Sequence, residues 1–242
     1  MIEIFLKPGI SPGGGVIGRR PGVLAIFSFR YDSHLVPDLI ANIEPLVDGW
    51  ISYDDRSSAE LFSNEPARRR ALVEKALQLH ARWILPVDPD ERFERALVDR
   101  MPELTSASEP RAYAFDLREM FAPDRYRTDG IWGTKKQTRL LSLHERMNLD
   151  LSSLHSRWHD LYGGYRIVNT GLNLYHLKMI TRARREARRD LYKELDSSAS
   201  YQGIGYDYLA DDDGAMLERI PPGRDYHPPH HDDGGLWMPK VG

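Results

Sequence analysis

The chain has 242 residues, no cysteine and a formal charge of −3, from 33 basic and 36 acidic side chains. This length suits one α/β domain with an appendage, and the lack of cysteine excludes disulfides, thiolate metal sites and a cysteine nucleophile. The balanced charge argues against a nucleic-acid partner, and no apolar run predicts a signal peptide or an integral membrane segment. We therefore expect a cytoplasmic protein.

The first half alternates strand and helix patterns. Residues 1–22 are rich in glycine and proline and predict a flexible arm, with residues 1–8 forming either a short strand or part of that arm. Strands and helices are then expected in alternation over residues 23–29, 33–46, 49–53, 65–81 and 82–87. This order predicts an α/β fold with a mostly parallel central sheet and right-handed crossovers.

The second half is less regular. We expect a helix over residues 93–104, strands over 111–119, 137–143 and 165–177, and an arginine-rich helix over 180–195. The chain then divides into the arm (1–22), a ligand-binding domain (23–180) and an extension (181–242). The extension combines the basic helix with a tail rich in proline, glycine and histidine, which is a candidate docking segment for a protein partner.

Two acidic clusters follow predicted strands. Asp54 and Asp55 end the second strand, and Asp88 and Asp90 end the third. Since ligands bind at the carboxyl ends of adjacent parallel strands, both clusters are expected at one cleft. Carboxylates at i and i+2 suit Mg²⁺ or Mn²⁺ bound to a nucleotide diphosphate. Ordinary polar turns or helix caps explain the same residues.

Residues 54–57 (DDRS) and 83–91 (WILPVDPDE) resemble the strand ends of family 2 glycosyltransferases. The resemblance covers about residues 22–95 and weakens towards residue 180. It implies a GT-A-like, Rossmann-related three-layer sandwich and an inverting transfer from a nucleotide-diphospho-sugar, commonly a UDP-sugar. By position, Asp54 or Asp55 would contact the nucleoside, Asp88 and Asp90 the metal–diphosphate, and Glu91 would orient the site.

Other candidate residues lie in the second half. Inverting transfer needs a base for the acceptor hydroxyl, and the candidates are Glu145 first and then Asp129. His176 ends a predicted strand and is a candidate third ligand of the metal or diphosphate. Candidates for neutralising the diphosphate are Lys178 and the arginines of the basic run, which are Arg182, Arg184, Arg185, Arg188 and Arg189. Each of these candidates also has an ordinary explanation as a turn acid, a hydrogen-bonded histidine or a solvated cation.

The sequence predicts a metal-dependent glycosyltransferase acting on a saccharide or other hydroxyl acceptor, and two other functions are alternatives. Residues 29–32 (FRYD) replace the family's Asn-rich turn, and the sequence shows no clear example of the acidic pair that supplies the family's catalytic base. Both departures favour a carbohydrate-binding or assembly module without turnover. A nucleotidyltransferase is disfavoured because the glycines at 13–15 precede the first buried strand, whereas a phosphate-binding loop follows it.

Overall fold

The computed structural model describes residues 1–12, 18–58, 65–144, 146–149, 157–198, 200, 202–230 and 236. Within these ranges the strands are β1 (Ile2–Leu6), β2 (Val23–Phe29), β3 (Gly49–Asp54), β4 (Trp83–Pro86), β5 (Glu91–Phe93), β6 (Arg111–Ala122), β7 (Arg125–Arg127), β8 (Lys136–Ser142), β9 (Arg166–His176) and β10 (Leu217–Arg219). The α-helices are α1 (Val36–Ile43), α2 (Glu65–Gln78), α3 (Leu97–Leu104) and α4 (Arg182–Leu195).

The strands form one mixed sheet in the order β1-β3-β2-β4-β8-β6-β7-β10, and β9 pairs with β5 and β6. Among the described pairs, β2–β3, β2–β4 and β6–β9 are parallel, and the others are antiparallel. The α/β class is confirmed, whereas the prediction of a mostly parallel sheet is wrong. Parallel pairing needs long crossovers, and in the described ranges the crossovers that contain an α-helix join β2, β3 and β4 in the first half.

Helices cover both faces of the parallel strands. Successive side chains of a strand point to opposite faces, so Phe27 of β2 packs in a cluster with residues of α1 and α3. Ile26 packs instead in a cluster with residues of α2. This part of the molecule therefore has the three layers that the resemblance implied.

The order of the parallel strands fixes where a ligand crevice lies. The chain passes from β2 through α1 to β3 on one side, then through α2 to β4 on the other side of β2. Such a reversal opens a crevice between the carboxyl ends of the two strands, here β2 and β4. The expected adjacency of β3 and β4 is therefore corrected, because β2 lies between them.

Both ends of the described chain contact the sheet. β1 pairs antiparallel with β3, and the ring of Phe5 stacks on Trp50 with centroids 4.1 Å apart. Residues 2–6 of the expected arm thus form an edge strand. Near the other end, Tyr226 pairs with Glu94 and packs against Tyr175, with ring centroids 5.1 Å apart. No helix in the described ranges is long and apolar enough to cross a membrane.

Candidate active site

A cavity of about 540 Å³ opens at the crevice between β2 and β4. Its wall comes from the end of β2 and the loop after it, the loop after β4, the start of α2, one residue of β8, and described residues from the end of β9 through α4 to residue 208. Small-molecule sites commonly measure roughly 300–1,000 Å³. Size and position together make this cavity the candidate active site.

The loop after β2 places Arg30 in the cavity wall, where residues just after β3 hold it. Arg30 donates to the carbonyl oxygen of Ser58 at 3.0 Å, and its guanidinium lies 5.2 Å from the ring centroid of Tyr31. Asp55 lies 3.9 Å from Arg30 and 2.9 Å from Arg68, and both arginines line the cavity. Asp55 itself is only 7% exposed. It therefore positions two cations of the wall and does not itself line it.

Asp54 lies outside the cavity lining as described. Arg56 donates to its carboxylate through Nε at 3.0 Å and through a terminal nitrogen at 2.7 Å. The N-terminal ammonium of Met1 donates to its carbonyl oxygen at 2.6 Å. The hydrogen bonds from Arg56 lower the pKa of Asp54. This aspartate secures the sheet edge, and the structure does not bring it to the cavity.

Asp88 lines the cavity, and its neighbour Glu91 lies beneath it. Arg139 of β8 donates to Glu91 at 2.7 and 2.8 Å and to Asp88 at 3.0 Å. Glu91 also accepts a hydrogen bond from the backbone N–H of Asp88 at 3.0 Å. Burial raises the pKa of Glu91, although Arg139 opposes the shift. The predicted orienting role of Glu91 thus has a geometric basis, because Glu91 fixes the loop that carries Asp88.

Asp90 and His176 meet in the lining of the cavity. His176 Nε2 lies 3.4 Å from Asp90, and its Nδ1 lies 2.8 Å from Glu119 of β6. Strand register explains this approach, since Glu119 and His176 pair directly in the parallel ladder between β6 and β9. Burial alone would lower the pKa of His176, but Glu119 and Asp90 outweigh it and raise that pKa to about 10. The imidazole thus lies between two carboxylates that favour its protonated form.

Helix α4 supplies two arginines to the same region. Arg188 donates to Asp32 at 2.7 Å and to Asp90 at 2.9 Å, and Arg184 donates to Asp32 at 2.8 Å. The side chain of Arg184 is 1% exposed and that of Arg188 is 11% exposed. These ion pairs attach α4 to the loops after β2 and β4, so one face of the arginine-rich helix closes the cavity.

The expected metal ligands belong to separate ion-pair networks. Asp88 faces Arg139, one oxygen of Asp90 faces Arg188 and the other faces His176. Within the described ranges, no group of three or more His, Cys, Asp or Glu side chains is arranged to hold a metal ion. As arranged, these residues do not fit Mg²⁺ or Mn²⁺.

Lys178 lies in the cavity wall just beyond β9. Its Nζ lies 5.0 Å from the ring centroid of Tyr192, and no carboxylate in the described part of the chain forms an ion pair with it. Lys178 lowers the pKa of Tyr192. Tyr31, Tyr206 and Tyr208 also line the cavity. The wall therefore combines a cation that has no carboxylate partner with several aromatic side chains.

The remaining predicted site residues are not brought to the cavity. Arg182 is 59% exposed and pairs with Glu186 and Asp212. Asp129 accepts hydrogen bonds from Arg127 at 2.7 and 3.0 Å and is not part of the cavity lining. Glu145 lies outside the described residues, as do the glycines at 13–15 and most of the tail beyond residue 230.

Sequence reasoning did not single out Arg30, Arg68 or the tyrosines of the wall as site residues. The strand-end rule could have identified Arg30, because it directly follows β2. Arg188 is predicted only as one of five arginines in the basic run of residues 182–189, since a helix with many arginines does not reveal which ones face inward. The partners of Arg188 lie 98 and 156 residues away in the sequence.

No protein-family model matches the chain, and no curated protein matches it with significant similarity. A similar solved structure is a glycosyltransferase involved in the glycosylation of the major capsid of PBCV-1. It shares 12% identity at a TM-score of 0.40, and the match covers 71% of this chain and 99% of that one.

Proposed function

We propose that this chain is an inverting glycosyltransferase that moves a sugar from a nucleotide-diphospho-sugar to a saccharide or other hydroxyl acceptor. UDP-sugars are the first donors to test. The observation that carries the proposal is the cavity between the carboxyl ends of β2 and β4, with Lys178 in its wall. Doubly wound sheets bind nucleotides at such a reversal of strand order.

The wall offers groups for each part of the donor. Lys178 has no carboxylate partner in the described ranges and is suited to the diphosphate. The side chains of Tyr31, Tyr192 and Tyr208 line the cavity, and tyrosine combines an apolar ring, suited to a base or sugar, with a hydroxyl that hydrogen-bonds. Arg30 and Arg68 share Asp55, so this side of the wall also carries positive charge.

The proposed reaction exchanges one bond at the anomeric carbon for another. The acceptor oxygen attacks from the face opposite the diphosphate, and the bond from carbon to diphosphate oxygen breaks. Cationic side chains placed beside the departing diphosphate stabilise the growing charge. A base must remove the acceptor proton, and Glu145 stays the predicted base because Asp129 is bound to Arg127 away from the cavity.

Calorimetric titration with UDP-sugars and other nucleotide sugars tests the proposal, combined with an assay for released UDP. We expect saturable binding that weakens in Lys178→Ala, whereas Lys193→Ala, on the outer side of α4 and paired with Asp207, keeps wild-type affinity. No binding to any nucleotide or nucleotide sugar would overturn the proposal. Binding without hydrolysis or transfer would favour the carbohydrate-binding or assembly module. A cytoplasmic location stays part of the proposal and is tested by fractionation.

A further inference from the structure

Asp88 and Asp90, the two carboxylates expected to hold a metal, already form ion pairs with cationic side chains of the chain. Asp90 is 5% exposed and lies within 4 Å of His176, Arg184 and Arg188. Asp88 is the more open of the two, with its side chain 59% exposed and 3.0 Å from Arg139. A divalent cation at Asp90 would have to displace the guanidinium group of Arg188 and would then lie beside those of Arg184 and Arg188.

Two cations of the same region line the cavity beside its acidic side chains. Lys178 has no carboxylate partner in the described ranges, and Nε of Arg188 is buried without a hydrogen-bond partner there. Both side chains line the cavity, and both contact the ring of Tyr192. Since Arg188 is held by Asp32 and Asp90, its guanidinium has a fixed position before any ligand binds.

We propose that the cavity binds the diphosphate of a nucleotide sugar without a divalent metal, with Lys178 and Arg188 supplying the positive charge. The inference rests on the proposed function and specifies how that site works. Hydrogen bonds from lysine and arginine to phosphate oxygens are charge-assisted, and arginine can present two parallel donors. In this arrangement Asp90 positions Arg188, and Asp88 is a negative charge at the rim that opposes an anionic ligand.

The first experiment measures the affinity of the full chain for UDP in excess EDTA and in excess Mn²⁺. We expect dissociation constants that differ by less than about threefold, because no ligand of the diphosphate is removed by the chelator. Binding that requires Mn²⁺ would overturn the metal-free site and leave the glycosyltransferase proposal standing. No binding in either buffer would overturn both.

Asp88→Asn distinguishes metal-dependent from metal-free binding of the diphosphate without disturbing the core, since the side chain is 59% exposed. A metal site would lose a ligand and bind UDP about 10- to 100-fold more weakly, whereas the cationic site loses a repulsion and binds UDP more tightly.

Lys178→Gln is expected to weaken the binding of UDP by at least about tenfold in EDTA, and Lys178→Arg is expected to recover most of the affinity. Lys193→Gln is the matched control on α4 and keeps wild-type affinity. Weaker binding in Asp88→Asn would contradict the proposal even if Lys178→Gln failed to fold.

Discussion

Asp90 and Arg188 form an ion pair at 2.9 Å that joins the loop after β4 to helix α4. Arg188 also reaches Asp32 at 2.7 Å, so a single guanidinium connects the loops after β2 and β4. All three side chains are largely buried. The walls of the cavity are therefore held together by charge pairing as well as by apolar packing.

Removing Arg188 should destabilise the fold strongly. Arg188→Ala leaves Asp32 and Asp90 buried without this partner, which typically costs about 3–5 kcal/mol in the free energy of unfolding. Urea denaturation followed by tryptophan fluorescence measures the change. Arg189→Ala, where the arginine pairs with the exposed Asp190, should change the free energy by less than about 0.5 kcal/mol. Equal losses in the two variants would show that the Arg188 pairs carry no special stability.

The stability of the protein should depend on pH through His176 and Glu119. The pKa of His176 is raised from 6.5 to about 10, so its stabilising contribution is complete below about pH 6.5 and is lost as pH rises towards 10. Burial would raise the pKa of Glu119, but His176 outweighs it and lowers that pKa from 4.5 to about 2. Its contribution is present above about pH 4.5 and is lost as pH falls towards 2.

Free energies of unfolding across this range test the titration of His176 directly. Wild-type stability should fall between about pH 6.5 and 10, and the fall should be smaller in His176→Gln, which cannot lose a proton there. The same slope in both proteins would contradict the assignment.

Asn42 should act as a clamp between α1, β5 and the segment after β10. Its amide donates to the carbonyl oxygens of Phe93 at 3.1 Å and His227 at 2.7 Å, and its oxygen accepts from the N–H of Phe93 at 2.8 Å. Asn42→Ala leaves these buried groups unpaired and should cost about 1–3 kcal/mol, visible as a lower Tm. Ala41→Ser on the exposed side of the same helix is the control, and a similar Tm for both variants would refute the clamp.

The edge strand β1 should contribute to stability, unlike a flexible arm. Phe5 lies directly opposite Trp50 in the β1–β3 ladder and stacks on it. Phe5→Ala should cost about 0.5–1.5 kcal/mol beyond the area that it exposes, measured by chemical denaturation. Glu3→Ala, in the same strand, should be close to neutral. If both substitutions are neutral, residues 1–8 behave as the arm.

The elements that sequence pattern predicted well are those with local causes. The bounds of β2 agree with the predicted strand because residues 23–29 are a short apolar run. β5 was missed because its three residues include the buried charges of Glu91 and Arg92, which no hydrophobic pattern reveals. Its pairing with β9 joins segments about 80 residues apart, and such a ladder depends on tertiary structure.

The candidate site was predictable where its residues follow strands that a local sequence pattern reveals. Strand ends indicate ligand residues, and the three candidates Asp88, Asp90 and Lys178, all predicted at or just beyond strand ends, line the cavity. A local sequence pattern does not specify the order of strands in the sheet. Asp54 and Asp55 were therefore expected beside Asp88 and Asp90, but β2 lies between β3 and β4. The pairing of Asp90 with Arg188 depends on how α4 docks, which the spacing of its arginines does not specify.

A crystal structure of the chain with UDP bound tests the central claim most directly. The account predicts the nucleotide in the cavity between the ends of β2 and β4, with diphosphate oxygens within hydrogen-bond distance of Lys178. UDP bound elsewhere on the molecule, or a diphosphate facing away from Lys178 in this cavity, would contradict it.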